Sequence, residues 1–166
     1  MEELLGTWSD FNVAMVGATA ALAGLLIVAM SVNIARIMGE SSLTGRVASS
    51  LATLVLAIVV TALGLAPAQP DWAFGLEVLV ASAAAAAFQV HAIRAVFADR
   101  LHSPSTGVRF GKSVAGVVPV VAYCSGAVAL LAGAAPTGLW LLAIGALLAI
   151  ASSIVHAWVV LVEVLR

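Results

Sequence analysis

The chain of 166 residues is 63% hydrophobic and only 9% charged, with a mean hydropathy of +1.17. Soluble domains carry about 25% charged residues, so this composition excludes an ordinary soluble fold and indicates an integral membrane protein. The formal net charge of −1 gives no basis for binding nucleic acid. A single cysteine, Cys124, excludes an intrachain disulfide and a zinc site built on thiolates.

Five apolar segments follow one another along the chain. A helix needs about 20 apolar residues to cross roughly 30 Å of hydrocarbon. The sequence therefore predicts an all-α bundle of five transmembrane helices, forming a single domain over residues 1–166. The predicted spans are residues 11–32, 47–66, 74–97, 114–135 and 139–162. We expect Ser9 or Asp10 to cap the first helix and Asp71 the third. Pro119, one helical turn after a glycine at position 116, favours a kink in the fourth helix.

The basic residues indicate the orientation of the bundle. All of them fall in three polar stretches that alternate crossings would place on one side of the membrane. These residues are Arg36, Arg46, Arg94, Arg100, Arg109, Lys112 and Arg166. Short loops rich in Lys and Arg stay in the cytoplasm, and indole rings prefer the headgroup region. Since Trp8, Trp72 and Trp140 fall at the opposite helix ends, we expect a multi-pass protein of the bacterial cytoplasmic (inner) membrane, with its N-terminus outside and its C-terminus cytoplasmic.

Small residues share one face of the first predicted helix. They recur at the helical spacing i, i+3, i+4, i+7, and they are Gly17, Ala20, Ala21 and Gly24. Small side chains let another helix backbone approach closely, which is the main source of helix association in lipid. The third helix has a similar face at Ala81, Ala84, Ala85 and Ala92. Packing against another helix of the same chain is enough to explain one small-residue face. Two such faces in so small a protein favour a homo-oligomer.

Polar side chains concentrate toward the cytoplasmic third. At about 1.5 Å per residue, His91 and His156 fall at nearly the same depth, with Gln89 close by. Ser152 and Glu163 share a helical face with His156. Ionisable groups within a span tend to face a bundle interior or a water-filled cavity. These five residues are therefore candidates to line a permeation pathway. The alternative is that both histidines are neutral and hydrogen-bonded, and that they only hold helices together.

Glu77 lies about one turn below the predicted outer surface. Its carboxylate is a candidate cation or proton site at an outer mouth. The alternative is that it reaches up to headgroup water near the positive N-terminus of the third helix.

The motifs of common enzymes are missing from the sequence, which contains no GxSxG, no HExxH and no P-loop. Two histidines without a third ligand make a poor metal site. We therefore expect no catalytic residues, no metal and no cofactor.

Several landmarks together resemble a known family. They are W-x-D-F from Trp8, GATAALAGLLIVAMSVNIARIM over residues 17–38, a Gly-Arg pair before the second span, a Leu-x-Pro-x-Gln-Pro corner over 65–70, and AWVVLVEVLR at the C-terminus. The chain resembles, over nearly its full length, a group of small five-span bacterial proteins often labelled modulators of the FtsH protease. The positions that match the recurrent pattern are Asn33, Arg36, Trp158 and Glu163. The resemblance implies a five-span fold and supplies no catalytic or binding residue.

Two functions follow from these patterns. In the first, a homo-oligomer forms a permeation pathway for a small ion or solute, with a polar vestibule in the cytoplasmic third. In the second, the protein is a non-catalytic accessory subunit that binds another membrane protein, such as a membrane protease, through its small-residue faces and basic loop. Membrane lipid is an expected partner in both.

Overall fold

The computed structural model describes residues 7–39, 41–98 and 106–165, which form five long helices and one short helix. In chain order they are α1 (Ser9–Val32), α2 (Ile34–Gly39), α3 (Ser41–Leu63), α4 (Asp71–Ala98), α5 (Thr106–Leu131) and α6 (Ala135–Leu165). The all-α fold is thereby confirmed.

Three helical stretches are long and apolar enough to cross a membrane. They are Ser9–Val32, Asp71–His91 and Ala135–Trp158, with mean hydropathies of 2.3, 1.7 and 2.3. α3 and α5 contribute the shorter apolar stretches Val47–Leu63 and Gly116–Leu131. The three longer stretches have the length and composition of membrane-spanning helices.

The fold is a bundle in which α3 is the central helix, packed against α1, α4 and α6. Leu54 contacts α1 at Ala23 and Leu26. Toward the end of α3, Gly64 lies against Asn12 of α1 and Phe74 of α4. Ser50, near the start of α3, meets Ser153 of α6. α3 therefore runs antiparallel to each of these three neighbours.

Three of the four tryptophans, Trp8, Trp72 and Trp140, mark one end of the bundle, which we call the tryptophan end. The indole of Trp8 packs edge to face on Trp140, with ring centroids 5.0 Å apart, and on Phe11 at 5.6 Å. Trp72 and Trp140 are largely exposed, at 64% and 63%. Exposed indoles at one level are typical of helix ends at a membrane interface.

Glycines allow α5 and α6 to approach closely. A Cβ built on Gly126 would lie 2.6 Å from Leu142 Cδ2 and 3.0 Å from the carbonyl oxygen of Gly138. A Cβ on Gly138 would lie 2.7 Å from Leu130 Cγ and 3.0 Å from the Gly126 carbonyl. The two backbones therefore touch directly, as at other small-residue helix crossings in membranes.

The turn between α5 and α6 is a Schellman motif. Gly133 has φ +79°, its N–H donates to the Leu130 carbonyl at 3.0 Å, and the Ala134 N–H donates to Ala129 at 2.9 Å. Glycine suits this position because it adopts a positive φ without strain. Pro136 follows in the first turn of α6, where its missing N–H leaves no helical bond unmade.

The structure differs from the predicted helix boundaries at several points. α5 begins at Thr106, well before position 114, and Pro119 lies within it. Proline removes one backbone donor, a loss that a helix packed on both sides tolerates. α1 has Trp8 at its N-cap with no side-chain cap, so the predicted capping by Ser9 or Asp10 is wrong. Asp71 is the first helical residue of α4.

Valine in place of Gly126 is expected to force α5 and α6 apart, because the new side chain meets a rigid backbone oxygen. Overpacking of this kind costs roughly 1–3 kcal/mol of unfolding free energy. The measurement is reversible unfolding of the monomer in mixed detergent micelles. Gly17→Val is the matched control, since its Cβ meets nothing within 4 Å. Equal losses for the two variants would contradict the close crossing.

Candidate functional site

A buried polar layer crosses the bundle in the half away from the tryptophan end. Its side chains come from α3, α4 and α6, and all are less than 9% exposed. We define this polar layer as Ser49, Ser50, Thr53, Gln89, Ser153 and His156. Buried polar groups in an apolar bundle are costly unless they are hydrogen-bonded, so the bonds within the layer decide what it can do.

The side chain of Gln89 joins three helices. Its Oε1 accepts a hydrogen bond from Ser49 Oγ of α3 at 2.5 Å. Its Nε2 donates to the Gly116 carbonyl of α5 at 2.9 Å and, more weakly, to Thr53 Oγ1 at 3.4 Å. The hydroxyl of Thr53 donates in turn to the Ser49 carbonyl at 2.6 Å. The amide, which is 3% exposed, therefore has partners for both of its ends.

Gly116 makes this arrangement possible. A Cβ at that position would lie 2.9 Å from Gln89 Nε2, 2.9 Å from Ser49 Oγ and 3.2 Å from Gln89 Oε1. The amide therefore occupies the space that any larger residue would fill. In the sequence this glycine indicated only a weak or kinked helix, whereas in the fold it receives a hydrogen bond.

On the other side of α3, the polar layer continues to α6. Ser153 Oγ donates to the Ser50 carbonyl at 3.4 Å. His156 lies one turn further along α6 and is 4% exposed. Ser152 is only partly buried, and its hydroxyl donates to the Ala149 carbonyl of its own helix at 3.2 Å. The face of α6 that carries His156 is therefore directed into the bundle.

The two histidines lie in different surroundings. His91 is exposed, while Gln89, two residues earlier on α4, faces the bundle interior. Two residues along a helix correspond to a rotation of about 200°, so the two side chains point to opposite faces. Glu163 belongs to α6, but its side chain lies outside the described part of the structure. Of the residues predicted to line a pathway, Gln89 and His156 lie in the polar layer. His91 lies on the exposed surface of the bundle.

Two further hydroxyls are fully buried near the middle of the bundle. Tyr123 of α5 and Ser82 of α4 are both 0% exposed, and neither hydroxyl has a hydrogen-bond partner among the described residues. The Tyr123 ring lies over Gly145 of α6 at 3.2 Å from a Cβ built there. Gly145 therefore provides the space for the ring. The alanine-rich run around Ser82 gave no sequence signal for this position.

Glu77 is exposed on α4, and its Oε2 accepts a hydrogen bond from Gln69 Nε2. Gln69 belongs to the segment between α3 and α4. The carboxylate therefore holds this connection against the helix, which is the kind of structural role that competes with a cation site.

The small-residue face of α1, defined as Gly17, Ala20, Ala21 and Gly24, is exposed along its length. A Cβ on Gly17 or Gly24 would meet nothing within 4 Å. The inward face of α1 is formed instead by Thr19, Ala23 and Leu26. Within the described chain, the small residues therefore have no helix packed against them.

A cavity of about 330 Å³ separates the second half of α1 from α6, and we call it the α1–α6 cavity. Its lining is almost entirely aliphatic and aromatic. It includes Leu22, Leu26, Ala29, Ser153, Ala157 and Trp158. α1 and α6 barely contact each other, so the cavity opens to the surroundings of the bundle.

Across the described residues, no three His, Cys, Asp or Glu side chains lie close enough together to hold a metal ion. Comparison of the chain with family models, curated proteins and solved structures gives no match. The likeness to the FtsH-modulator group stays a prediction.

Replacing Gln89 with leucine keeps most of the volume but removes the bonds to Ser49 and Gly116. We expect the free energy of unfolding to fall by roughly 1–3 kcal/mol, because the remaining partners are buried without a bond. Detergent unfolding measures the loss. Ser125→Ala is the matched control, since that exposed hydroxyl bonds only to the Val121 carbonyl of its own helix. A loss no larger than that of the control would contradict the role of the amide.

A double-mutant cycle tests the contact between Gly116 and Gln89. Gly116→Ala alone is expected to be destabilising, because the methyl group meets the amide and the Ser49 hydroxyl. In a Gln89→Ala background two of the three short contacts disappear, so the same change is expected to cost less. Residues in contact typically show coupling of about 0.5–3 kcal/mol in unfolding experiments. Additive effects would show that the two positions do not meet.

Proposed function

We propose that this chain is a non-catalytic accessory protein of the bacterial inner membrane that works by binding other transmembrane helices. In this proposal all five long helices cross the bilayer, with the N-terminus outside and the basic segments in the cytoplasm. Its partners are further copies of itself and a second membrane protein, such as a membrane protease. The single observation that carries the proposal is the exposed small-residue face of α1.

The packing of α1 supports this assignment. It rests mainly on α3, and its contact with α6 is slight. Apolar helices gain little from leaving lipid for one another, so association depends on close backbone approach. Gly17 and Gly24 allow such an approach, and no helix of the described chain uses them. A partner helix could therefore bind there without any rearrangement of the bundle.

The bonds in the polar layer favour binding over transport. Gln89 has its hydrogen-bond partners within the chain, and Ser153 bonds to α3. These groups hold helices together, which is the structural alternative that the sequence left open. A rigid bundle that presents one unoccupied helix face is suited to recognition.

The double variant Gly17→Leu/Gly24→Leu tests the proposal. Both side chains would enter open space, and leucine is a better helix former than glycine, so the monomer is expected to keep its stability. Association through this face is expected to be lost, because leucine prevents close backbone contact. The measurement is crosslinking in native membranes through a cysteine at Ala21, in a Cys124→Ser background, with and without the two leucines.

Val155→Cys on α6 is the matched control, because Val155 is also exposed, at 55%, but lies on a different helix. The expected result is crosslinking at Ala21→Cys that the leucines abolish, with little at Val155→Cys. Equal crosslinking at both sites, or no effect of the leucines, would contradict the proposed interface.

A second function, permeation of a small ion or proton, is favoured by one observation, the burial of His156 within the polar layer. Ionisable side chains in a membrane core often mark ion or proton pathways. The test is flux into liposomes containing the purified protein, with His156→Ala beside the exposed His91→Ala as control. A pathway through the layer requires flux that His156→Ala alone removes. Absence of flux in the wild-type protein excludes this function for the ions tested.

A further inference from the structure

We infer that the α1–α6 cavity binds one acyl chain of an anionic phospholipid. The headgroup of this lipid lies at the end of the bundle where α1 ends, beside the segment that carries Arg36 and Arg46. The inference is independent of the partner protein proposed above. It rests on the cavity, on the chemistry of its lining and on the charges that follow it in the chain.

The cavity has the size and lining of a ligand site. Ligand pockets in proteins measure about 300–1,000 Å³ and are mostly apolar, and this one measures about 330 Å³. Leu22, Leu26 and Ala29 form one wall, and Ala157 and Trp158 form the other. The hydroxyl of Ser153, which also lies on the wall, donates to Ser50, so the surface offered to a ligand is hydrocarbon.

Basic residues follow the α1 wall of the cavity in the chain. α1 ends at Val32, and Asn33 closes it, with Nδ2 donating to the Ala29 carbonyl at 2.9 Å. Arg36 follows on the short helix α2, and Arg46 lies in α3 shortly after. A carboxylate, Glu40, stands between them in sequence, so the segment 33–46 carries a net charge of +1 (two arginines less one glutamate). An anionic headgroup complements this charge.

This geometry favours a lipid with a negative headgroup over a zwitterionic one. A basic segment at the end of an apolar cleft between membrane helices is the arrangement that binds phosphate headgroups on the cytoplasmic side. One chain would fill the cleft, and the phosphate would lie beside the segment that follows Asn33 in the chain and carries the two arginines. The bound chain would also bridge α1 to α6, which otherwise contact each other little.

The test measures retained lipid by native mass spectrometry after detergent exchange. The protein is offered phosphatidylglycerol or phosphatidylcholine with identical acyl chains. The expected result is retention of one phosphatidylglycerol, preferred at least about fivefold, since one Arg near an anionic surface contributes roughly that factor. Equal retention of the two lipids would overturn the inference and leave only ordinary annular lipid.

Two substitutions fill the cavity, Ala157→Phe and Ala29→Phe, and both are expected to abolish retention. Ala29 is exposed, so phenylalanine there leaves the packing of the bundle intact even if Ala157→Phe unfolds. Ala87→Phe, at an exposed position of α4, is the matched control and is expected to retain lipid as the wild type does. Retention that survives Ala29→Phe would overturn the inference.

The headgroup is tested separately. Arg36→Gln is expected to reduce the preference for phosphatidylglycerol about fivefold while a chain still binds. Arg94→Gln, which removes an exposed charge from α4, is expected to leave the preference unchanged. Equal effects of the two variants would show that only the overall charge matters and would contradict a site at the end of α1.

Discussion

Helices inside a bilayer gain little by exchanging lipid contacts for contacts with one another, so close backbone approach and hydrogen bonds must hold them together. This bundle has both. The carbonyl oxygens of Gly126 and Gly138 each lie 3.0 Å from the place that a Cβ on the other glycine would take, and the amide of Gln89 reaches α3 and α5 from α4. Both contacts depend on glycine. Gly126 and Gly138 let the two backbones meet, and Gly116 provides the space that the amide occupies. These contacts join α3, α4, α5 and α6, which also share one apolar core.

The sequence predicts how far along a helix each residue lies. It does not predict which way the side chain points around the helix axis. Long apolar segments identified the helices, and counting residues placed His91 and His156 at one level. Which face of each helix is buried depends on the neighbouring helices, and hydropathy carries little information about it when the lipid side is equally apolar. Packing places His156 inside and His91 outside. For the same reason, the sequence could not tell that the small residues of α1 face away from the bundle.

The ends of the helices are a second feature that the sequence predicted poorly. The predicted break between the fourth and fifth spans, at positions 136–138, was placed too late, because the turn lies at Gly133 and Pro136 belongs to the first turn of α6. The start of α5 was placed too late, since the polar residues before position 114 are compatible with a helix that extends beyond the apolar region. Pro119 lies inside α5, one turn after Gly116, whose carbonyl accepts the hydrogen bond from the Gln89 amide. Apolar length therefore predicted the helices better than their ends, which depend on local turn geometry and on tertiary packing.

α1 connects the two proposals. On a helical projection at about 100° per residue, Gly17 and Gly24 lie nearly opposite Leu26. Leu25, which also lines the cavity, lies about 40° from Ala21 on this projection, so the face offered to a partner helix borders the wall of the α1–α6 cavity. A chain between α1 and α6 would restrain a helix that otherwise rests mainly on α3. Because an ordered helix loses less entropy when it binds, lipid in the cavity is expected to strengthen association through the small-residue face.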